Sequence, residues 1–228
     1  MTSLVKRQHQ ADATETSKKR RQESFEKVLD GKSEFEDEFF HYIPNQYDGN
    51  FCRELMGRLK SQHEFAQSPI RVFGRDCKTP RKEVLLSAES GIRYKYSGAV
   101  LISEKWSEEV GKMCAELSAK YNVPLNSVLV NWYRNGKDSV GRHADDEKSM
   151  EHQIIITVSL GTARKLRVYS RKIKKDDEEK KLLEVCMQNG SVHIQKNGMQ
   201  KVRKHEVPKQ KTELERISLT FRMMIKKE

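Results

Sequence analysis

The chain has 228 residues, enough for one domain with a sizeable core. Its 44 Lys and Arg against 33 Asp and Glu give a net charge of +11 with histidine neutral, which points to an anionic partner. Apolar runs are too short for a membrane span, the N-terminus lacks a secretory apolar core, and Cys52, Cys77, Cys114 and Cys186 show no Cys-x-x-Cys spacing; these features argue against a membrane protein, a secreted one and a structural zinc site.

Hydrophobic content of 36% beside 34% charged is low for a wholly compact chain. The deficit falls on residues 1–33, which read as a disordered polar and basic tail. Within it, Lys18-Lys-Arg-Arg21 reads as a nuclear import signal. The protein is then expected in the nucleus, otherwise in the cytoplasm. Phe51, Leu55 and Leu59 recur at helical spacing, as do Trp106, Val110, Met113, Leu117 and Tyr121. For the second helix Ser103 is the expected N-cap and Pro124 follows the end. Short β-like runs occupy 70–74, 83–87, 92–97, 127–133, 154–160, 164–170, 182–187, 191–195, 203–207 and 215–223. Strands in this number with two helices near the front predict an α+β fold with a sandwich or jelly-roll core.

The last run is the most informative. Arg216, Ser218, Thr220 and Arg222 alternate with Ile217, Leu219, Phe221 and Met223, so polar side chains share one face of a strand. An edge strand with a solvated face would show the same pattern. In a jelly roll one face lines the interior, and two arginines there require an anionic ligand; a guanidinium grips a carboxylate bidentately. Upstream, His143 and Asp145 form a His-x-Asp pair, and His205 supplies a second imidazole. Two histidines and one carboxylate leave three positions of a metal open, the geometry of non-haem Fe(II) oxygenases. A lone His-x-Asp is common by chance. Here it follows Asn131 and Tyr133, on one face of a strand, and precedes the arginine strand. His152 and His193 compete with His205 as the third ligand. Residues 71–82 hold five basic side chains and one acidic, residues 196–211 six and one; beside a site, such clusters would track phosphates. The mixed-charge segment 171–181 reads as a flexible hairpin insertion.

Four segments, Arg71-Val-Phe-Gly-Arg75 with Pro80-Arg-Lys82, Tyr94-Lys-Tyr-Ser-Gly98, Asn131 to Glu147 and Gly190 to Arg222, together resemble the AlkB family of Fe(II)/2-oxoglutarate dioxygenases. The likeness is greatest to its branch that repairs duplex DNA in eukaryotic nuclei. It implies a double-stranded β-helix backed by helices: one catalytic domain over 34–228, with a nucleotide-recognition lid and supporting helices over 34–125 and the jelly-roll core over 126–228. It also implies Fe(II) held by His143, Asp145 and His205, preferred because Gly190 and Pro208 flank it as in the family. Asn131, Tyr133, Arg216, Ser218, Thr220 and Arg222 would bind 2-oxoglutarate, Arg216 at the distal carboxylate and Arg222 nearer the chelating end, with O2 as co-reactant. The implied reaction hydroxylates an N-methyl group on adenine or cytosine; the hemiaminal collapses to formaldehyde while 2-oxoglutarate becomes succinate. The implied partner is DNA, duplex preferred and single strand accepted, engaged by a monomer. Tyr94 and Tyr96 would stack the flipped base, Asp146 would meet an exocyclic amino group, Phe73 would wedge into the duplex and Arg81 would steady the strand. Tyr94, Tyr96 and Phe73 equally suit plain strand packing. The chain departs from the family at Ser218, where Asn is usual, and at Arg203, where an aromatic often stands. Alternative readings are an oxygenase acting on RNA or protein, or a non-catalytic basic module with a relict metal site.

Overall fold

The structure, a computed structural model, describes residues 26–72, 74–96, 98–146, 154–172 and 178–225. In chain order the elements are β1 (Lys27–Leu29), β2 (Phe35–Glu36), β3 (Phe40–Ile43), α1 (Gly49–Gln62), β4 (Pro69–Val72), β5 (Arg75–Lys78), β6 (Lys82–Ser87), β7 (Arg93–Tyr96), β8 (Ala99–Ile102) and β9 (Glu104–Lys105). There follow α2 (Glu108–Tyr121), β10 (Ser127–Tyr133), β11 (Val140–His143), β12 (Ile155–Gly161), β13 (Arg164–Ser170), β14 (Lys181–Met187), β15 (Val192–Gln195), the single turn α3 (Met199–Val202), β16 (Arg203–Val207) and β17 (Arg216–Arg222). Eight strands form one sheet in the order β2-β3-β15-β12-β17-β10-β6-β9, and five form the other, β1-β14-β13-β16-β11. Two hairpins, β4–β5 and β7–β8, stand apart from both. This is the expected jelly-roll core backed by helices.

The alternation read at 216–222 explains the layering. Strand β17 lies between β12 and β10 and is fully buried, so it is a central strand and not a solvated edge. Ile217, Leu219 and Phe221 face a core shared with Leu55 and Leu59 of α1 and with Val110, Met113 and Leu117 of α2. Removing such side chains from water stabilises by about 1.5–3 kcal/mol each. The polar residues of β17 face the second sheet; its Leu166, Val168, Val185 and Met187 make a separate core with Phe40 and Tyr42 of β3.

Both helices start on side-chain caps. Asp48 accepts from the backbone N–H of Asn50 and Phe51, and Ser107 accepts from Val110 while Glu108 and Glu109 complement the helix dipole. Ser103, the expected cap, is occupied elsewhere: its Oγ accepts from the Ile92 N–H at 2.8 Å and bonds Ser87 Oγ at 2.7 Å. The runs expected at 70–74 and 92–97 are each one arm of a hairpin, closed around Gly74 (φ 77°) and Gly98 (φ 85°). Residues 27–29, expected in the tail, pair in parallel with β14. The close approach that follows needs glycine at 31, where a Cβ would lie 1.7 Å from the Cys186 carbonyl oxygen. The basic quartet 18–21 lies outside the described residues, as does much of the insertion at 171–181.

Candidate metal and cosubstrate site

Between the two sheets lies a cavity of about 460 Å³. Strands β11 and β16 of the smaller sheet place His143 and His205 as register partners, ring centroids 4.3 Å apart. Asp145 follows β11. Its carboxylate lies 3.5 Å from His143 Nε2 and 3.6 Å from His205 Nε2. The three ligand atoms are all within 4.8 Å of one another, close enough for one ion with bonds of about 2 Å after a small contraction. Two imidazole nitrogens and one carboxylate on one side of an ion suit Fe(II).

The surroundings hold this group in place. His143 Nδ1 donates to the Gly141 carbonyl at 2.8 Å, which leaves Nε2 for a metal. The Asp145 N–H donates to Gln200 Oε1 at 2.9 Å, and Gln200 Nε2 donates in turn to Gln195 Oε1. Arg171 ties the Gln200 carbonyl (2.7 Å) to the Asp146 carboxylate (2.8 Å). Burial alone would raise Asp145, but the Arg222 guanidinium and the two histidines hold its carboxyl well below the usual carboxylate range. Burial, reinforced by His143, pushes His205 down to about 3, so this ring is neutral and ready to ligate. Burial opposes protonation of His143, yet the Asp145 carboxylate outweighs it and raises the pKa. A divalent cation would displace that proton.

Arg216, on the cavity side of β17, is 1% exposed. Its Nη2 donates to Ser159 Oγ at 2.9 Å, and the guanidinium lies 5.2 Å from the Tyr133 ring centroid. Its Nε and Nη1 are buried with no hydrogen-bond partner among the described residues. Burial lowers its pKa only to about 10, so it stays charged at neutral pH. A buried cation with two unsatisfied donors beside a cavity fits a carboxylate ligand, as 2-oxoglutarate would provide. Ser218 stands in register with Asn131 on one side and Ser159 on the other, and Thr220 Oγ1 lies 3.5 Å from Thr157 Oγ1.

Arg222 joins the metal group to the hairpin β7–β8. Its Nη1 donates to the Tyr94 hydroxyl at 2.9 Å, and Nη2 lies 4.0 Å from Asp145 Oδ1. Tyr94 stacks on Tyr96 with centroids 5.2 Å apart, and both line the cavity. Asp146 is exposed at its mouth. Arg81 differs from the expected strand contact. It is 8% exposed, donates through Nε to Asn131 Oδ1 at 2.5 Å and pairs with Glu83 at 3.0 Å, so it serves the cavity wall. Phe73 and His152 lie outside the described residues. Glu83, which also accepts from the Tyr96 hydroxyl, Gln195 and Gln200 were not singled out by sequence, and His193, weighed there as a third metal ligand, lines the cavity outside the metal group. For Glu83 and Gln195 the one signal is a polar residue within a β-like run; Gln200, in α3, has none.

Residues 39–222 match the 2OG-Fe(II) oxygenase superfamily. The cattle (Bos taurus) DNA oxidative demethylase ALKBH2 is 28% identical over 180 residues, 75% of this chain and 64% of its own length. The Arabidopsis thaliana protein of the same name is 32% identical, covering 68% of this chain and 57% of its own length. The uncharacterized protein R406 of Acanthamoeba polyphaga mimivirus is 27% identical and matches over 81% of this chain and 93% of its own length. Thus the chain spans about two thirds or less of the two named demethylases. Among solved structures, that of OsALKBH1 superposes with a TM-score of 0.57 at 15% identity, over 83% of this chain and 100% of that one, a likeness of fold.

Proposed function

The chain belongs to the 2OG-Fe(II) oxygenase superfamily, in its AlkB branch, and from that premise we propose that it is an oxidative demethylase of N-methylated adenine and cytosine in DNA. The observation that carries the reading is the Asp145–Arg222–Tyr94–Tyr96 array. It sets an aromatic pair, able to stack a base, against the group that would hold the metal. Fe(II) with 2-oxoglutarate and O2 supplies hydroxylation of an unactivated C–H bond. The chain's own residues then have these tasks. His143, Asp145 and His205 hold the ion. Arg216, beside Ser159 and Tyr133, takes the distal carboxylate, and Arg222, Asn131, Ser218 and Thr220 line the remainder of the cosubstrate's path. Tyr94 and Tyr96 receive the flipped base, whose amino group Asp146 can meet.

The nucleic acid follows from charge. On β4–β5, Arg71, Arg75 and Lys78 are exposed with Asp76 as the one acidic neighbour, a surface suited to phosphates. Phe73, which follows Val72 in sequence, is assigned as the wedge that fills a gap left by a flipped base, which favours duplex substrates. A monomer acting in the nucleus, with 34–125 as lid and 126–228 as catalytic core, completes the reading. The test measures formaldehyde and succinate released from N-methylated duplex DNA, single-stranded DNA and RNA of one sequence. Release should be highest on DNA, and Phe73→Ala should lower the duplex rate roughly tenfold to a hundredfold while sparing single strands, since base stacking contributes about 1–3 kcal/mol. RNA turned over as fast as DNA would overturn the substrate assignment, and no succinate on any substrate would overturn the whole reading.

A further inference from the structure

His193 lies on β15, lines the cavity and is 3% exposed. Neither ring nitrogen has a hydrogen-bond partner among the described residues. The ring is placed by packing, stacked on Phe40 with centroids 5.5 Å apart. In register it stands opposite Thr157, which stands opposite Thr220, so it extends the polar row that β17 presents to the cavity. Burial, then the Arg216 guanidinium and His205, push its pKa down to about 3, and the ring is neutral in ordinary buffers. A neutral imidazole offers one donor and one acceptor, and here the ring lines the cavity, where a ligand can meet it. A dicarboxylate offers acceptors only. A carboxylate can therefore accept from the ring N–H.

We propose that His193 is a further cosubstrate-binding residue, donating a ring N–H to the carboxylate that Arg216 grips. This rests on the placement of 2-oxoglutarate given above. Two observations favour the distal carboxylate over the metal end. Arg216 reaches Ser159 Oγ at 2.9 Å, and Ser159 is the next residue on the same face of β12 after Thr157, the register partner of His193; the ligand atoms of His143, Asp145 and His205 group together without His193. Ser218 adds to the case. Where the resembled family usually carries Asn, this chain has a short hydroxyl and one amide donor fewer on the face it shares with Ser159. His193 supplies a donor to the same face from the next strand, β15.

The experiment is a calorimetric titration of 2-oxoglutarate into the full chain loaded with Mn(II), which reads binding without turnover. The variants are His193→Leu, which keeps bulk but no donor, His193→Gln, which keeps a donor, and Arg216→Met. His193→Leu is expected to raise the 2-oxoglutarate Kd roughly tenfold or more, as loss of a hydrogen bond to a charged group does. His193→Gln should recover most of the affinity, with Mn(II) affinity unchanged in both and neither variant melting below the wild type at neutral pH. If His193→Leu fails to fold, His193→Met against His193→Gln makes the same comparison. Wild-type affinity in His193→Leu, with weakened binding in Arg216→Met, overturns the role of His193 alone. No effect of either substitution overturns the placement of the cosubstrate. Equal loss in the Leu and Gln variants together with weaker Mn(II) binding assigns His193 to the metal group and also overturns the proposal.

Discussion

Arg222 shows how much a single guanidinium can link. It is 1% exposed, donates to the Tyr94 hydroxyl and approaches the Asp145 carboxylate. Charge alone does not account for its being arginine. A planar fork can meet the tyrosine, the carboxylate and a bound anion together, whereas a lysine ammonium is one point of charge on a flexible stem. Arg222→Lys should therefore raise the 2-oxoglutarate KM by roughly tenfold or more, with binding of unmethylated DNA unchanged. Steady-state kinetics beside a DNA-binding titration checks this, and an unaltered KM would place the cosubstrate away from Arg222. The same side chain marks how far sequence reached at this scale. The arginines, the His-x-Asp pair and His205 were legible because each belongs to a spaced motif. Glu83, Gln195 and Gln200 were not, because a buried polar residue becomes meaningful only with its partner, here Arg81, Gln200 and the Asp145 N–H respectively.

Elements with a full period of pattern were legible in the same way. Strand β17 alternates over seven residues, and the helices repeat Leu55–Leu59 and Val110–Met113–Leu117. The strands that escaped, such as β2 and β9, have two residues each and no period to read, and β11 carries Gly141 and Arg142 where a strand would show apolar residues. Turns were visible as glycines, but what each glycine is for was not. Gly190 precedes β15 with φ 73°, and a Cβ there would lie 2.1 Å from the Tyr47 carbonyl oxygen. Left-handed backbone and a collision with main chain act together, so Gly190→Ala should cost about 3 kcal/mol or more and displace the strand that carries His193. Gly141 offers an internal control beside His143, since a Cβ there meets nothing within 4 Å. Gly141→Ala should change stability by less than about 0.5 kcal/mol. Denaturant melts of the two variants test the contrast, and equal stability would mean that the loop before β15 can give way.

At the scale of the whole molecule, the concentration of buried ionisable groups between the sheets predicts how the metal-free protein responds to acid. His193 and His205 are each pushed down to about 3, from an ordinary 6.5. Below pH 6.5 the unfolded chain takes up protons at these rings that the folded chain refuses, so stability falls with pH, and the loss is complete by about pH 3. Asp145, held below its ordinary 3.8, adds a loss of the same sign that begins only below that value. His143 acts the other way. Its pKa is raised, so it contributes stability below about pH 6.5 that is lost as pH rises through its folded value. Two depressed histidines against one raised leave a net loss, and the melting temperature of the metal-free chain should fall steadily between about pH 6.5 and pH 4. His193→Leu removes one depressed ring far from the sheet edges and should flatten that slope. Calorimetric melts across this range decide it. A melting temperature independent of pH, or a slope unaltered by His193→Leu, would show that these rings become protonated inside the fold without penalty. Fe(II) should raise stability and steepen its loss on acidification, because an ion held by His143, Asp145 and His205 stabilises only the folded state and competes with protons for the same atoms.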